Sequence, residues 1–220
     1  MTSFQRARTD EQREVRRRVI LEAAVQMLQE MPVSSLSLNE LSKRVGLARS
    51  NVLRYFESRE AILLELLGAA ASRWLALRID ELPGRIDPGW DLRRRQEVVA
   101  TDLAAAFDAD AMLCELLSAQ AGVLEHNVST EAAIRYRRAV MANVEGLGSL
   151  LCDVIPELEV PVATQAAATM VVLAGAIWTH THPGEAMLAA YAAEPALGVF
   201  QNFPEELGRA FLIVLRGALA

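Results

Sequence analysis

Leu36 to Phe56 reads LSLNELSKRVGLARSNVLRYF, and its grammar changes halfway along. The first half places Ser37 and Glu40 at capping-box spacing and sets Leu38, Leu41 and Val45 on one helical face. Gly46 then interrupts, where a left-handed residue ends one helix and lets another start. From Ala48 to Tyr55 a second short helix is expected, anchored by Val52 and Phe56 one turn apart, with Arg49, Ser50, Asn51 and Arg54 on the other side. Two helices joined by a tight glycine corner make a helix-turn-helix, whose second helix lies in a DNA major groove. The polar face suits that role: arginine pairs with guanine and asparagine with adenine through two hydrogen bonds.

Outward from this corner, the chain reads as helix almost throughout, with no run of period-two alternation. A first helix is expected from Thr9 or Asp10 to about Met31, with Ile20, Ala24, Leu28 and Met31 inside and Arg13, Arg16, Arg17 and Arg18 crowding its first turns; Pro32 stops it. Ser58 and Arg59 open a long helix to about Leu82, and the breaker cluster PGRIDPGW, Pro83 to Trp90, ends it. Further helices are expected near 91–107, 110–123, 130–155, 161–181 and 204–219. The stretch HPGEAMLAAYAAEPALGVFQNF, His182 to Phe203, reads as a loop with a helical turn or two. The fold class is therefore all-α: a three-helix helix-turn-helix domain over residues 1–58 and a larger helical domain over 59–220.

The 220 residues carry a net charge of −6, which by itself argues against an anionic partner. The charge is unevenly spread. Residues 1–60 hold 11 Lys and Arg against 8 Asp and Glu, whereas residues 61–220 hold 11 against 20, so the candidate reading head is the basic part of an acidic chain. Cys114 and Cys152 are isolated, with no disulfide framework or C-x-x-C pair, so a reducing cytoplasm is expected. No apolar segment follows Arg6 and Arg8, which argues against a secretory signal. Residues 160–184 lack any Asp, Glu, Lys or Arg and are long enough to span a bilayer. They are also dotted with Thr, Gln and His and flanked by acids rather than by orienting Lys or Arg, so a buried helix is expected and no membrane partner.

Over residues 12 to 66 the sequence resembles the tetracycline-repressor (TetR) family of bacterial transcription regulators. The resemblance rests on ILEAAVQML, on SLNELSKRVGLARSNVLRYFESREAIL and on the spacing between them. Leu53 stands where that family usually has a phosphate-touching tyrosine, so the phosphate role is not carried to it. Base contacts are expected from Arg49, Ser50, Asn51 and Arg54, and phosphate contacts from Tyr55, Lys43, Ser37 and Arg59. Arg6 and Arg8 are candidates for a loose arm along the duplex. Their plainer reading is a solvated basic surface.

One reading helix grips little, and a dimer that places two about 34 Å apart meets successive major grooves of a near-palindromic operator. Ala163, Ala167, Met170, Ala174 and Trp178 form one apolar stripe, and Leu207, Phe211, Val214 and Ala218 another. Small residues let helices approach closely, and the resemblance implies that two such helices from each subunit form a four-helix homodimer contact. A core internal to one subunit has the same periodicity. The resemblance also implies a repressor with a pocket for a small organic effector in the carboxy-terminal domain. Candidate pocket residues are Trp74, Trp90, Met112, Cys114 and His126, with Asn127, Tyr136, Met170 and Trp178, because an apolar cavity with a few polar handles suits such a ligand.

An enzyme would need a G-x-S-x-G elbow, a phosphate-binding loop, a G-x-G-x-x-G turn or an H-E-x-x-H pair, and the sequence has none. His180 and His182 fall on different helical faces, so neither a metal site nor a cofactor is expected. A protein-binding helical adaptor would use the alanine-rich stripes but leaves Arg49, Asn51 and Arg54 without a purpose.

Overall fold

The computed structural model describes residues 3–198 and 202–219, with side chains from residue 11 onward. Every regular element among these residues is helical. Ser3–Glu30 forms α1, Leu38–Arg44 α2, Arg49–Val52 α3 and Arg59–Glu81 α4. Then follow α5 (Leu92–Asp108), α6 (Ala111–Ala119), α7 (Thr130–Val154), α8 (Val160–Thr181), α9 (Glu185–Ala193) and α10 (Phe203–Gly217). Helix α1 begins well before the expected Thr9 or Asp10. No glycine or proline separates Ser3 from that point, so nothing stops the helix from extending. The side chains of Arg6 and Arg8 lie outside the described residues.

The starts of six helices follow from single side chains. Ser37, Ser58, Asp91, Asp110, Ser129 and Asn202 each accept the N–H three residues on, satisfying one of the donors a helix start leaves open. Each such cap contributes about 1 kcal/mol. After α6 the chain widens into a π-turn at Gln120–Leu124, and Asn127 reverses direction with φ 57°.

One apolar core runs from Ile20 in α1 to Leu215 in α10. Its centre is aromatic: Trp74 of α4 stacks on Phe107 of α5 at 4.2 Å, and Phe107 meets Phe211 of α10 edge-on at 6.0 Å. Helix α8 is long and apolar enough to cross a bilayer. It packs instead against α6, α7 and α10, with Ala163, Ala166, Ala167, Met170, Ala174, Gly175 and Ile177 buried. Gly175 makes one of these contacts: a Cβ there would lie 2.9 Å from the carbonyl carbon and oxygen of Leu117, so only glycine lets α8 and α6 approach this closely.

The stripes offered as a dimer contact face inward: Ala163, Ala167, Met170 and Ala174 of α8, and Leu207 and Phe211 of α10, are buried within the subunit. Trp178, Val214 and Ala218 pack against the same core as partly buried residues, with Trp178 stacked on His182 at 3.7 Å. A stripe that fills a core and one that meets a second subunit have the same spacing, and here the core has it. Within the stretch expected as a loop with a helical turn or two, Glu185–Ala193 forms a nine-residue helix, and no residue of it is buried.

Candidate nucleic-acid interface and sensing cavity

The corner between α2 and α3 is built from backbone. Gly46 adopts φ 65°, and its N–H and that of Leu47 donate to the carbonyls of Lys43 (3.2 Å) and Ser42 (3.0 Å), closing the end of α2. Ser37 caps α2 by accepting the Glu40 N–H at 3.2 Å, while its own hydroxyl donates to the Glu40 carboxylate at 3.2 Å. Buried Ser42 returns its hydroxyl to the Leu38 carbonyl, so a polar side chain sits in the core of the head with its hydrogen bond made.

Helix α3 is shorter than expected. After Val52 the chain tightens into turns, in which Arg54 N–H donates to Asn51 (3.2 Å) and Tyr55 N–H to Val52 (2.9 Å). Ala48 offers no hydroxyl to cap the first turn, and so short a helix depends on its anchors. Those anchors are Val52 and Phe56, both buried, and they leave Arg49, Ser50, Asn51, Leu53 and Arg54 exposed on the other side. Lys43 is exposed beside them; Ser37 and Tyr55 are half-buried.

Arg59, expected at a phosphate, makes contacts within the chain. Its guanidinium turns inward, donating to the Val33 carbonyl and pairing with Glu60 at 3.5 Å. It ties the turn after α1 to the start of α4. Sequence reasoning also missed the residue that fixes the far end of the reading segment. Arg17 donates to the Tyr55 carbonyl at 2.6 Å, pairs with Glu65 at 2.5 Å and lies 4.2 Å over the Phe56 ring. Its sequence signal was only membership of a crowd of four arginines.

Two further bonds join this head to the rest of the chain. Val33 N–H donates to Glu115 of α6 at 2.6 Å, and Ser129 N–H, at the start of α7, donates to Glu57 at 2.6 Å. The Ser129 bonds hold the Glu57 carboxyl below the usual carboxylate range. An open groove of about 930 Å³ runs beside the Glu57–Ser129 link, bordered by Arg17, Arg54, Glu65, Arg135 and Tyr136.

Behind the groove, α4, α6 and α7, with Phe107 of α5 and Val171 of α8, line an apolar cavity of about 50 Å³. Of the nine residues expected at a pocket, Trp74 and Tyr136 line it, together with Phe107, Leu113, Gln120 and Asn143, which sequence alone did not single out. The remaining seven sit elsewhere. Trp90 lies beneath the Arg94 guanidinium at 4.4 Å. Cys114 is buried with its thiol on the Phe107 carbonyl, and burial raises its pKa well above the ordinary thiol value. Met112 is half-buried, His126 and Asn127 are exposed at the chain reversal, and Met170 and Trp178 belong to the core around α8. Apolar cavity walls look like any other core positions in a sequence, which is why they were not separable. Among the described residues no group of three His, Cys, Asp or Glu is placed to hold a metal ion.

Comparison with known proteins adds family and fold. Residues 20–66 match a family described as bacterial regulatory proteins, tetR family, and residues 72–220 match one described as tetracyclin repressor-like, C-terminal domain. No sequence among the curated proteins matches the chain. Among solved structures it is similar to a TetR transcriptional regulator from Rhodococcus sp. RHA1, at 17% identity and a TM-score of 0.55 over 98% of each chain. It is also similar to the TetR family repressor AlkX from Dietzia sp. strain DQ12-45-1b, implicated in biodegradation of n-alkanes, at 15% identity and a TM-score of 0.54 over 92% of this chain and 94% of that one. A third is the regulator FadR from Bacillus subtilis, in complex with stearoyl-CoA, at 15% identity and a TM-score of 0.52 over 92% and 98%. At these identities the likeness carries the fold.

Proposed function

The chain belongs to the TetR family of bacterial transcription regulators, and from that premise we propose that it is a repressor that binds a near-palindromic operator as a homodimer and responds to a small, mostly apolar ligand. The observation that carries this reading is the exposed face of Arg49, Ser50, Asn51 and Arg54 over the buried anchors Val52 and Phe56. Arg49 and Arg54 read guanine, Asn51 reads adenine, and Ser50 supplies a further donor. Lys43, Ser37 and Tyr55 hold phosphates, and the division between head and sensor falls at residues 58 and 59.

The dimer contact is reassigned to the outward faces of the same two helices. Val172 on α8 and Ile213 on α10 are 70% and 68% exposed, and Val162 of α8 and Met187 and Leu188 of α9 are exposed apolar residues as well. Pairing such faces across a two-fold axis buries them and sets the distance between the two heads. The effector cavity lies between α4, α6 and α7, each bonded to the head by Arg17–Glu65, Glu115–Val33 or Ser129–Glu57. A ligand that prefers one arrangement of these helices changes operator affinity by its differential binding, typically about 1–3 kcal/mol. A regulator of this kind works in the cytoplasm, where the chromosome lies.

The test is fluorescence anisotropy with duplex DNA flanking the protein's own gene, titrated against salt. Binding by a dimer that weakens as salt rises supports the proposal, because phosphate contacts release counterions. An absence of binding to any such fragment in dilute buffer defeats it.

A further inference from the structure

Two side chains that line the cavity between α4, α6 and α7 carry buried polar atoms that packing alone does not explain. The Trp74 indole nitrogen and the Tyr136 hydroxyl are buried with no hydrogen-bond partner, and each residue is only 6% exposed. Both side chains line the same cavity. A buried donor without a partner gives up its hydrogen bond to water and gains none, so two around one small space need a compensating use. The rest of the wall is apolar or amide. Gln120 and Asn143 are its other polar residues, and no Asp, Glu, Lys, Arg or His takes part. The Gln120 amide already donates to Glu125 at 2.9 Å, and the Asn143 carbonyl already accepts from Ser72 at 3.0 Å. Burial raises the Tyr136 pKa, so its hydroxyl stays protonated through the physiological range.

We propose that this cavity recognises an uncharged, compact ligand through an oxygen acceptor, a carbonyl or ether, that takes hydrogen bonds from Trp74 and Tyr136 while its apolar body fills the space between Phe107 and Leu113. The proposal rests on the effector reading above and specifies its chemistry. A carboxylate is disfavoured, because no cation in the wall repays the desolvation of a buried anion. An alkane fits the wall but leaves both donors unpaired.

Three probes of one shape separate these cases on the full-length protein: cyclopentanone, cyclopentane and cyclopentanecarboxylate. Binding is followed by the indole N–H resonances, with Trp74 identified by elimination in Trp90→Phe and Trp178→Phe. Cyclopentanone is expected to move the Trp74 resonance downfield and saturably, cyclopentane to bind more weakly without that shift, and the carboxylate not to bind. Tyr136→Phe removes one donor. It is expected to weaken cyclopentanone about three- to tenfold while leaving the thermal midpoint of the ligand-free protein unchanged or higher. A hydroxyl with a purely structural role would lower that midpoint instead. Carboxylate binding as tight as the ketone's, equal binding of cyclopentane, an unchanged ketone affinity in Tyr136→Phe, or no response to any probe would each overturn the proposal. Operator affinity measured on the same samples keeps the two readings apart: loss of DNA binding defeats the regulator, and probe behaviour defeats only the ligand chemistry.

Discussion

Arg49 and Arg54 are exposed on a segment whose other side is pinned by Val52 and Phe56, so their side chains are free to reach outward without disturbing the core. Replacing either by alanine is expected to cost about 1–3 kcal/mol of operator discrimination and to leave the subunit association unchanged, as read by anisotropy and sedimentation. Arg59 is expected to behave oppositely. Its guanidinium serves the Val33 carbonyl and Glu60, so Arg59→Ala should lower the thermal midpoint by the equivalent of about 1–3 kcal/mol while the salt dependence of DNA binding keeps its slope. A slope reduced by about one would instead return Arg59 to the phosphates. The outward position of these arginines was legible because Val52 and Phe56, one turn apart, take the inner side of the segment and leave the other side outward. Arg59 and Arg17 were not, because each is decided by a partner in another element: a carbonyl 26 residues earlier for Arg59, and Tyr55 and Glu65 far downstream for Arg17.

At the level of elements, capping side chains and breakers made most helix starts readable, while helix faces were less so. Ser37, Ser58 and the Pro83–Trp90 cluster act locally, and the elements they delimit lie where local chemistry puts them. The stripe on α8 is equally local, but whether it meets α6 and α10 of its own subunit or a second copy is a tertiary matter that spacing does not encode. Helix α9 was hidden by the prolines that bracket it, although the alanine-rich sequence between them is a good helix former. Two glycines separate strain from clash. Gly46→Ala meets no atom within 4 Å but must hold φ 65°, at a cost of about 1–2 kcal/mol. Gly175→Ala gains about 1 kcal/mol of helix preference yet drives a Cβ to 2.9 Å from the Leu117 carbonyl, and a net loss of about 1–3 kcal/mol is expected from such overpacking. Urea titration of both variants measures this, and a Gly175→Ala protein as stable as the parent would show that α6 and α8 can move apart freely.

In the whole molecule, the basic head sits on a core continuous with the acidic body, and the bonds from Arg17, Glu57 and Glu115 brace it at α4, α7 and α6. On the proposed reading operator recognition uses two heads, so it depends on the surface that joins two copies. Val172→Asp and Ile213→Asp place charges on faces exposed in the subunit, so each is expected to leave its fold intact, dissociate the dimer and thereby weaken operator binding at least tenfold. Sedimentation shows whether this happens; dimers that survive both changes would place the contact elsewhere. The most direct test of the central claim, a paired Arg49–Arg54 face reading duplex DNA, is the stoichiometry and salt dependence of binding to duplex DNA flanking the protein's own gene. The account predicts two subunits per site, with affinity falling steeply as salt rises and largely lost in an Arg49→Ala, Arg54→Ala double variant that still dimerises. A lone subunit indifferent to that DNA, or a double variant that binds as the parent does, would contradict it.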